Sequence, residues 1–185
     1  RRQRQMCIRD RLYVFNNKTI ASIATTSVLT NYTYENGTLG VGATLTAPNN
    51  NTAIIDGITV LELNTRILVK NQINHAHNGI YFVSQINTGS SPLILTRSLD
   101  FNSNTKILPG SNIFIQNGNQ NKNHGFLLTI GNSSITVGTT YLFFNQFSHS
   151  MKESYISSNN ILLGNNHVNI NTLNANSINI GTSNT

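Results

Sequence analysis

The chain has 185 residues, with 12 Lys and Arg against 6 Asp and Glu and a single cysteine. That length bounds it to one cored domain plus an appendage, and the lone cysteine excludes a disulfide framework and a thiol catalyst. Charged residues make up 10% while Asn alone is about one residue in six, so solubility rests on neutral amides and hydroxyls, a composition that favours strands and turns over helices.

The first eleven residues, "RRQRQMCIRDR", hold most of the formal charge of +6. Arg1, Arg2, Arg4, Arg9 and Arg11, less Asp10, contribute four of the six units and leave +2 for residues 12–185. This is a basic tip and not a basic face, so nucleic acid is not expected as a partner. The stretch also resembles translated adapter or assembly sequence, and residues 1–11, Cys7 included, are read as foreign to the protein. Residues 12–21 form a lead-in. No apolar run along the chain is long enough to span a bilayer, and no membrane insertion is expected.

From Ser22 onward the pattern is one of short strands separated by turn chemistry. "TAIIDGITVLEL" sets Asp56-Gly57 between two apolar triplets, the dipeptide of a type I′ hairpin. Further strands are expected at "RILVK", "GIYFVSQ", "LILTRS", "NIFIQN", "GFLLTI" and "TYLFFNQF", each bounded by Asn, Gly, Ser or Pro. Strands at that spacing predict an all-β domain, a small antiparallel β-sandwich or a barrel. Alternation within the strands places Ile80, Phe82, Ile113, Ile115, Phe126, Leu128, Leu142 and Phe144 inward, as the core.

After Phe147 the texture changes. Residues 149–160 read as a polar linker, and 161–185 as the start of an Asn-rich β-repeat. There Val168 and Ile170 recur as Ile178 and Ile180, and Ile161-x-Leu163-Gly164 echoes Ile178-x-Ile180-Gly181. One such copy has too few apolar atoms for a core of its own, and three chains around one axis would supply them. The pattern stops midway, which suggests that the natural protein continues.

Several ordered motifs carry a resemblance over residues 22–148. They are Gly40-Val41-Gly42-Ala43-Thr44-Leu45, Asp56-Gly57, Arg66-Ile67-Leu68-Val69-Lys70, Asn78-Gly79-Ile80-Tyr81, Leu95-Thr96-Arg97 and the closing Phe147. Together this stretch resembles a domain of tail-fibre and other virion appendage proteins of bacteriophages. The tail is similar to "INIG"-type repeats of trimeric fibre shafts in phages and large DNA viruses. The resemblance implies a virion structural protein in a particle appendage, a homotrimer that meets other virion proteins, with no catalytic residues and no cofactor.

Two residues stand out as possible ligands. On a strand His75 and His77 would share a face, and near a three-fold axis three chains would bring six imidazoles around one metal ion, an arrangement resembling the His-x-His iron sites of some phage fibre tips. The competing reading of "NQINHAHNGI" is a solvated turn, since it is rich in turn residues and offers no acidic or Cys ligand. His124, His149 and His167 are expected at the surface. Glu35, Asp56, Glu62, Asp100 and Glu153 lie far apart in sequence, and no nucleophile elbow or phosphate-cradling glycine loop is present.

The function expected is therefore a structural module whose loops, 47–52, 87–92 and 117–125, face a host-surface glycan or protein. The alternatives are a carbohydrate-binding accessory of a depolymerase and a bacterial surface adhesin. An exposed Tyr beside the polar loops would favour glycan recognition.

Overall fold

The computed structural model describes residues 17–48, 53–60, 62–131 and 134–148. The foreign stretch expected at 1–11, residues 12–16 of the lead-in, the linker at 149–160 and the shaft at 161–185 lie outside the described residues. Within them the chain is all-β. Its strands are β1 (Asn17–Ala21), β2 (Ile23–Ala24), β3 (Thr33–Glu35), β4 (Thr44–Thr46), β5 (Ile54–Ile55) and β6 (Ile58–Thr59), followed by β7 (Arg66–Val69), β8 (Gly79–Gln85), β9 (Ile94–Arg97), β10 (Asn112–Ile115), β11 (Gly125–Ile130) and β12 (Leu142–Ser148), with one 3₁₀ turn at His75–His77.

Two sheets and a hairpin result. The four-stranded sheet runs β1-β10-β11-β12, the six-stranded sheet β2-β7-β8-β9-β4-β3, and β5 pairs with β6. All pairs are antiparallel except β1 with β10 and β2 with β7, so the sheets are mixed where purely antiparallel ones were expected. Both parallel pairs come from one run of chain that changes sheets at Ser22. There the Ser22 N–H donates to the Arg66 carbonyl at 2.7 Å, while the Ser22 carbonyl accepts from Asn117 at 2.8 Å. This strand fastens the sheets together, as sheet-switching strands do at the corners of sandwiches. The domain therefore includes Asn17–Ala21, and the boundary expected at residue 22 falls inside it. "NKTIA" pairs with β10, almost a hundred residues away, which no local pattern announces.

The sandwich core lies between the sheets. Ile113, Ile115, Phe126, Leu128, Leu142 and Phe144 meet Leu68 and Ile80, with Phe101, Ile107 and Val137 from loops. A second cluster covers the opposite face of the six-stranded sheet, where Ile23, Leu45, Ile67, Val69, Tyr81, Val83 and Leu95 are capped by Ile55 and Val60 of the hairpin. Burial on both faces explains why "ILV" of β7 and "GIY" of β8 are continuously apolar and do not alternate. Phe82, expected in the core, is half-buried. Its cross-strand partners are Arg66 and Thr96, so apolar cover runs out around it.

The hairpin forms as its sequence demands. Asp56 and Gly57 both have positive φ, 48° and 75°, as a type I′ turn requires. The Asp56 carboxylate accepts from the Gln120 and Asn121 N–H groups at 2.8 and 2.9 Å, and its carbonyl accepts from Asn119 N at 2.9 Å. The loop at 117–125 thus clamps the hairpin tip.

Arg97 is 0% exposed. Its Nη1 donates to the Asn78 carbonyl at 3.1 Å and Nη2 to the Tyr81 hydroxyl at 2.8 Å, with Tyr34 Oη at 3.5 Å. The guanidinium also lies 4.9 Å from the Tyr81 ring centroid, where the π face favours a cation. Gly79 makes room for it: a Cβ there would collide with Arg97 Nη1 and stand 3.1 Å from Cζ. Gly79→Ala is expected to destabilise the domain by about 1–3 kcal/mol through overpacking. In an Arg97→Leu background, which removes the colliding atoms, the same substitution should lose the collision part of that cost and keep the part due to the positive φ of 155° at Gly79. Denaturant midpoints of the four proteins check this, and strictly additive costs would rule the collision out.

Candidate functional site

The stretch holding the two histidines is a 3₁₀ turn, not a strand. Asn74 caps it by accepting the Ala76 N–H at 3.1 Å. Asn78 closes it: its Oδ1 accepts the Gln72 N–H at 2.9 Å, and its Nδ2 donates to the Leu142 carbonyl at 2.9 Å while lying 3.3 Å from His75 Nδ1. With three residues per turn, positions 75 and 77 point to different sides, and the premise that they share a face fails.

Each ring has its own surroundings. His77 stacks on Tyr34 with centroids 3.9 Å apart and planes at 17°, and its Nε2 lies 3.1 Å from Asn74 Nδ2. His75 packs against Phe143 at 4.7 Å and Tyr141 at 5.9 Å. Asn78 Nδ2 can only donate, so His75 Nδ1 accepts and the neutral ring carries its proton on Nε2. Within one chain the imidazoles therefore do not converge as ligands. Among the described residues no three His, Cys, Asp or Glu side chains cluster to hold a metal ion.

The carboxylates are dispersed as well. Asp56 is committed to the hairpin clamp, and Asp100 forms a bidentate pair with Arg66, Nη1 to Oδ1 at 3.0 Å and Nη2 to Oδ2 at 2.7 Å. Glu35 and Glu62 are exposed. Lys70 lies over the Phe126 ring at 4.9 Å, and burial lowers its pKa more than the nearby Asp56 raises it. Glu153, His149 and His167 lie outside the described residues. Of the loops expected to face a host, 117–125 buries Asn121, 87–92 exposes Thr88, Gly89 and Ser90, and 47–52 is described only at Ala47 and Pro48.

Two exposed aromatic features remain, both on the four-stranded sheet. On its outer face Ile20, Phe114 and Phe147 are 46%, 46% and 51% exposed; Ile20 pairs with Phe114 across β1 and β10, and the Phe114 and Phe147 rings meet edge-on at 6.1 Å. At the start of β12, Tyr141 and Phe143 contact each other edge-on at 6.4 Å. With Gly131, Thr139 and Thr140 they line a cleft of about 480 Å³. Sequence reasoning missed this cleft because it assigned no role to Tyr141 and Phe143. Strict alternation with buried Leu142 and Phe144 carried the signal, because it sends Phe143 outward.

A smaller cleft of about 310 Å³ is lined by Asn64, Arg66, Phe82, Ser98 and Leu99. Arg66 there is already neutralised by Asp100. Compared with known proteins, the chain matches no family model, no curated protein and no solved structure.

The geometry around His77 has a pH signature. Burial, and secondarily the positive charge of Arg97, hold its pKa below the ordinary 6.5. An unfolded chain keeps the ordinary value and takes up the proton first as pH falls, so this group's contribution is complete above that value and is lost as pH falls through the folded-state one. The melting temperature should drop as pH falls below the ordinary 6.5, and His77→Phe, which keeps the stack without the titration, should flatten part of the drop. Parallel declines in both proteins would exclude His77 as a cause.

Proposed function

We propose that the chain is a structural module of a viral, phage-like virion appendage of the tail-fibre type. It works as a homotrimer beside other virion proteins and contacts a host surface. The observation that carries this reading is the outer face of the four-stranded sheet. Ile20, Phe114 and Phe147 form an apolar patch, and patches of this kind are ordinarily covered in an assembly. The patch lies on the sheet whose last strand leads into the Asn-rich repeat, the segment that needs neighbouring chains for a core.

Two further observations support it. The motifs behind the resemblance to appendage domains build the fold: Asp56-Gly57 makes the hairpin, Gly79 admits Arg97, and Arg97 bonds the Asn78 carbonyl. Of the carboxylates that could have been catalytic, Asp56 and Asp100 are engaged in internal contacts. A depolymerase accessory or a surface adhesin would use the same scaffold, but a patch of this composition is a feature of assembly more than of catalysis.

Light scattering during size exclusion of the full chain tests the reading. A mass of three chains is expected at micromolar concentration. Phe114→Asp combined with Phe147→Asp should reduce it to one chain while leaving the melting temperature nearly unchanged, because both rings are already half-exposed. A monomeric parent chain at every concentration would refute the trimer.

A further inference from the structure

We infer that the cleft at the start of β12 is a subsite for an uncharged saccharide, with Tyr141 and Phe143 as its stacking platform and Thr139 and Thr140 as its polar contacts. The inference rests on the host-contact part of the proposed function and gives it a location and a ligand class.

The first argument is the chemistry of the lining. Among the described residues the lining is Gly131, Thr139, Thr140, Tyr141 and Phe143, with no ionisable acid or base other than the Tyr141 phenol, so no described lining group would repay the desolvation of a charged ligand. Two exposed rings at the mouth of a cleft present negative π faces, which attract the weakly positive C–H groups on one face of a pyranose. A volume of about 480 Å³ lies within the range of ordinary small-ligand sites.

The second argument is hydrogen-bonding capacity. Thr140 Oγ1 accepts the Thr136 N–H at 2.9 Å, which leaves its own O–H to donate. Thr139 Oγ1 donates to the Thr136 carbonyl at 3.2 Å, which leaves its lone pairs to accept. Adjacent residues thus offer one donor and one acceptor, oriented by the same turn. That complements a hydroxylated ring, whose groups both give and take hydrogen bonds.

The third argument is rigidity. His75 packs behind both rings, and Asn78, fully buried, holds His75 Nδ1 and the Leu142 carbonyl with one amide nitrogen. The platform is therefore braced by half-buried His75 and, through it, by buried Asn78 before any ligand arrives, the condition under which few contacts yield measurable binding.

Saturation-transfer NMR on the full chain tests this with the methyl glycosides of glucose, galactose and N-acetylglucosamine, and with glucuronate as the charged control. Transfer to at least one neutral glycoside is expected, with little to glucuronate. Tyr141→Ala and Phe143→Ala should each weaken binding at least tenfold, and Thr140→Val severalfold. The Phe114→Asp, Phe147→Asp protein should bind each isolated glycoside as the parent does.

No transfer from any neutral glycoside, or undiminished binding by Tyr141→Ala, would overturn the subsite. So would a Tyr141→Ala protein that folds but changes mass, since the cleft would then be covered by a neighbouring chain. A monomer that binds sugar through Tyr141 would refute the appendage trimer and leave the subsite standing; a trimer that binds none would do the reverse.

Discussion

A buried guanidinium with no carboxylate partner among the described residues organises this domain. Arg97 gives up its hydration and receives in return one carbonyl, two phenols and one aromatic face. Its Nε makes no hydrogen bond. A charge so buried is costly unless its donors are hydrogen-bonded, and the surrounding residues meet that condition at both Nη atoms and not at Nε. Tyr81, itself fully buried, receives a bond from Arg97 and passes one on to the His77 carbonyl at 2.6 Å. The same burial drives the Tyr81 pKa far above its ordinary value, only partly opposed by the Arg97 charge. The phenol thus stays neutral and remains a donor.

From Arg97 the constraint passes to the exposed cleft through a single residue. The Asn78 carbonyl holds Arg97, while its side chain ties together the Gln72 N–H, the Leu142 carbonyl and His75. Leu142 begins β12, and its neighbours Tyr141 and Phe143 form the aromatic platform. The six-stranded sheet therefore positions rings that belong to the four-stranded one. Loss of Asn78 would leave buried donors and acceptors unpaired in both sheets, whereas loss of an exposed ring would cost little beyond the ring's own contacts.

Much of this architecture is legible in the sequence, and the illegible parts have physical causes. Asp56-Gly57 announces its turn because few dipeptides tolerate two positive φ angles. The longer strands are visible because their β-branched and aromatic runs end in Gly and Asn. Neither β3 nor β4 exceeds three residues, and β1 and β2 pair in parallel with distant partners, so periodicity has too little to work on. Arg97 illustrates a conflict between two local rules. Leu93, Leu95 and Arg97 alternate and all are fully buried, yet the habit of charges to stay outside argues for a solvated edge. Alternation prevails because Asn78, Tyr34 and Tyr81 converge on the head group from other parts of the chain. The histidine pair shows the reverse case, since the turn residues of "NQINHAHNGI" argue for a turn against the strand that a shared face would need, and Asn74 and Asn78 fold the segment into one.

A charge-poor surface also constrains how such a domain could hold a partner. Without salt bridges to fix a ligand, recognition falls to stacked rings and neutral hydrogen bonds, and a few such contacts yield weak affinity per site. Weak sites become effective when several are held at fixed spacing, because each binding event raises the local concentration for the next. The proposed assembly would supply that spacing. Phe143 and Phe147 project from the same face of β12 four residues apart, about 13 Å along a strand, so the apolar patch and the cleft lie next to each other on one face. In that arrangement the two exposed aromatic features divide the work: one gathers copies of the chain, and the other gains from their number.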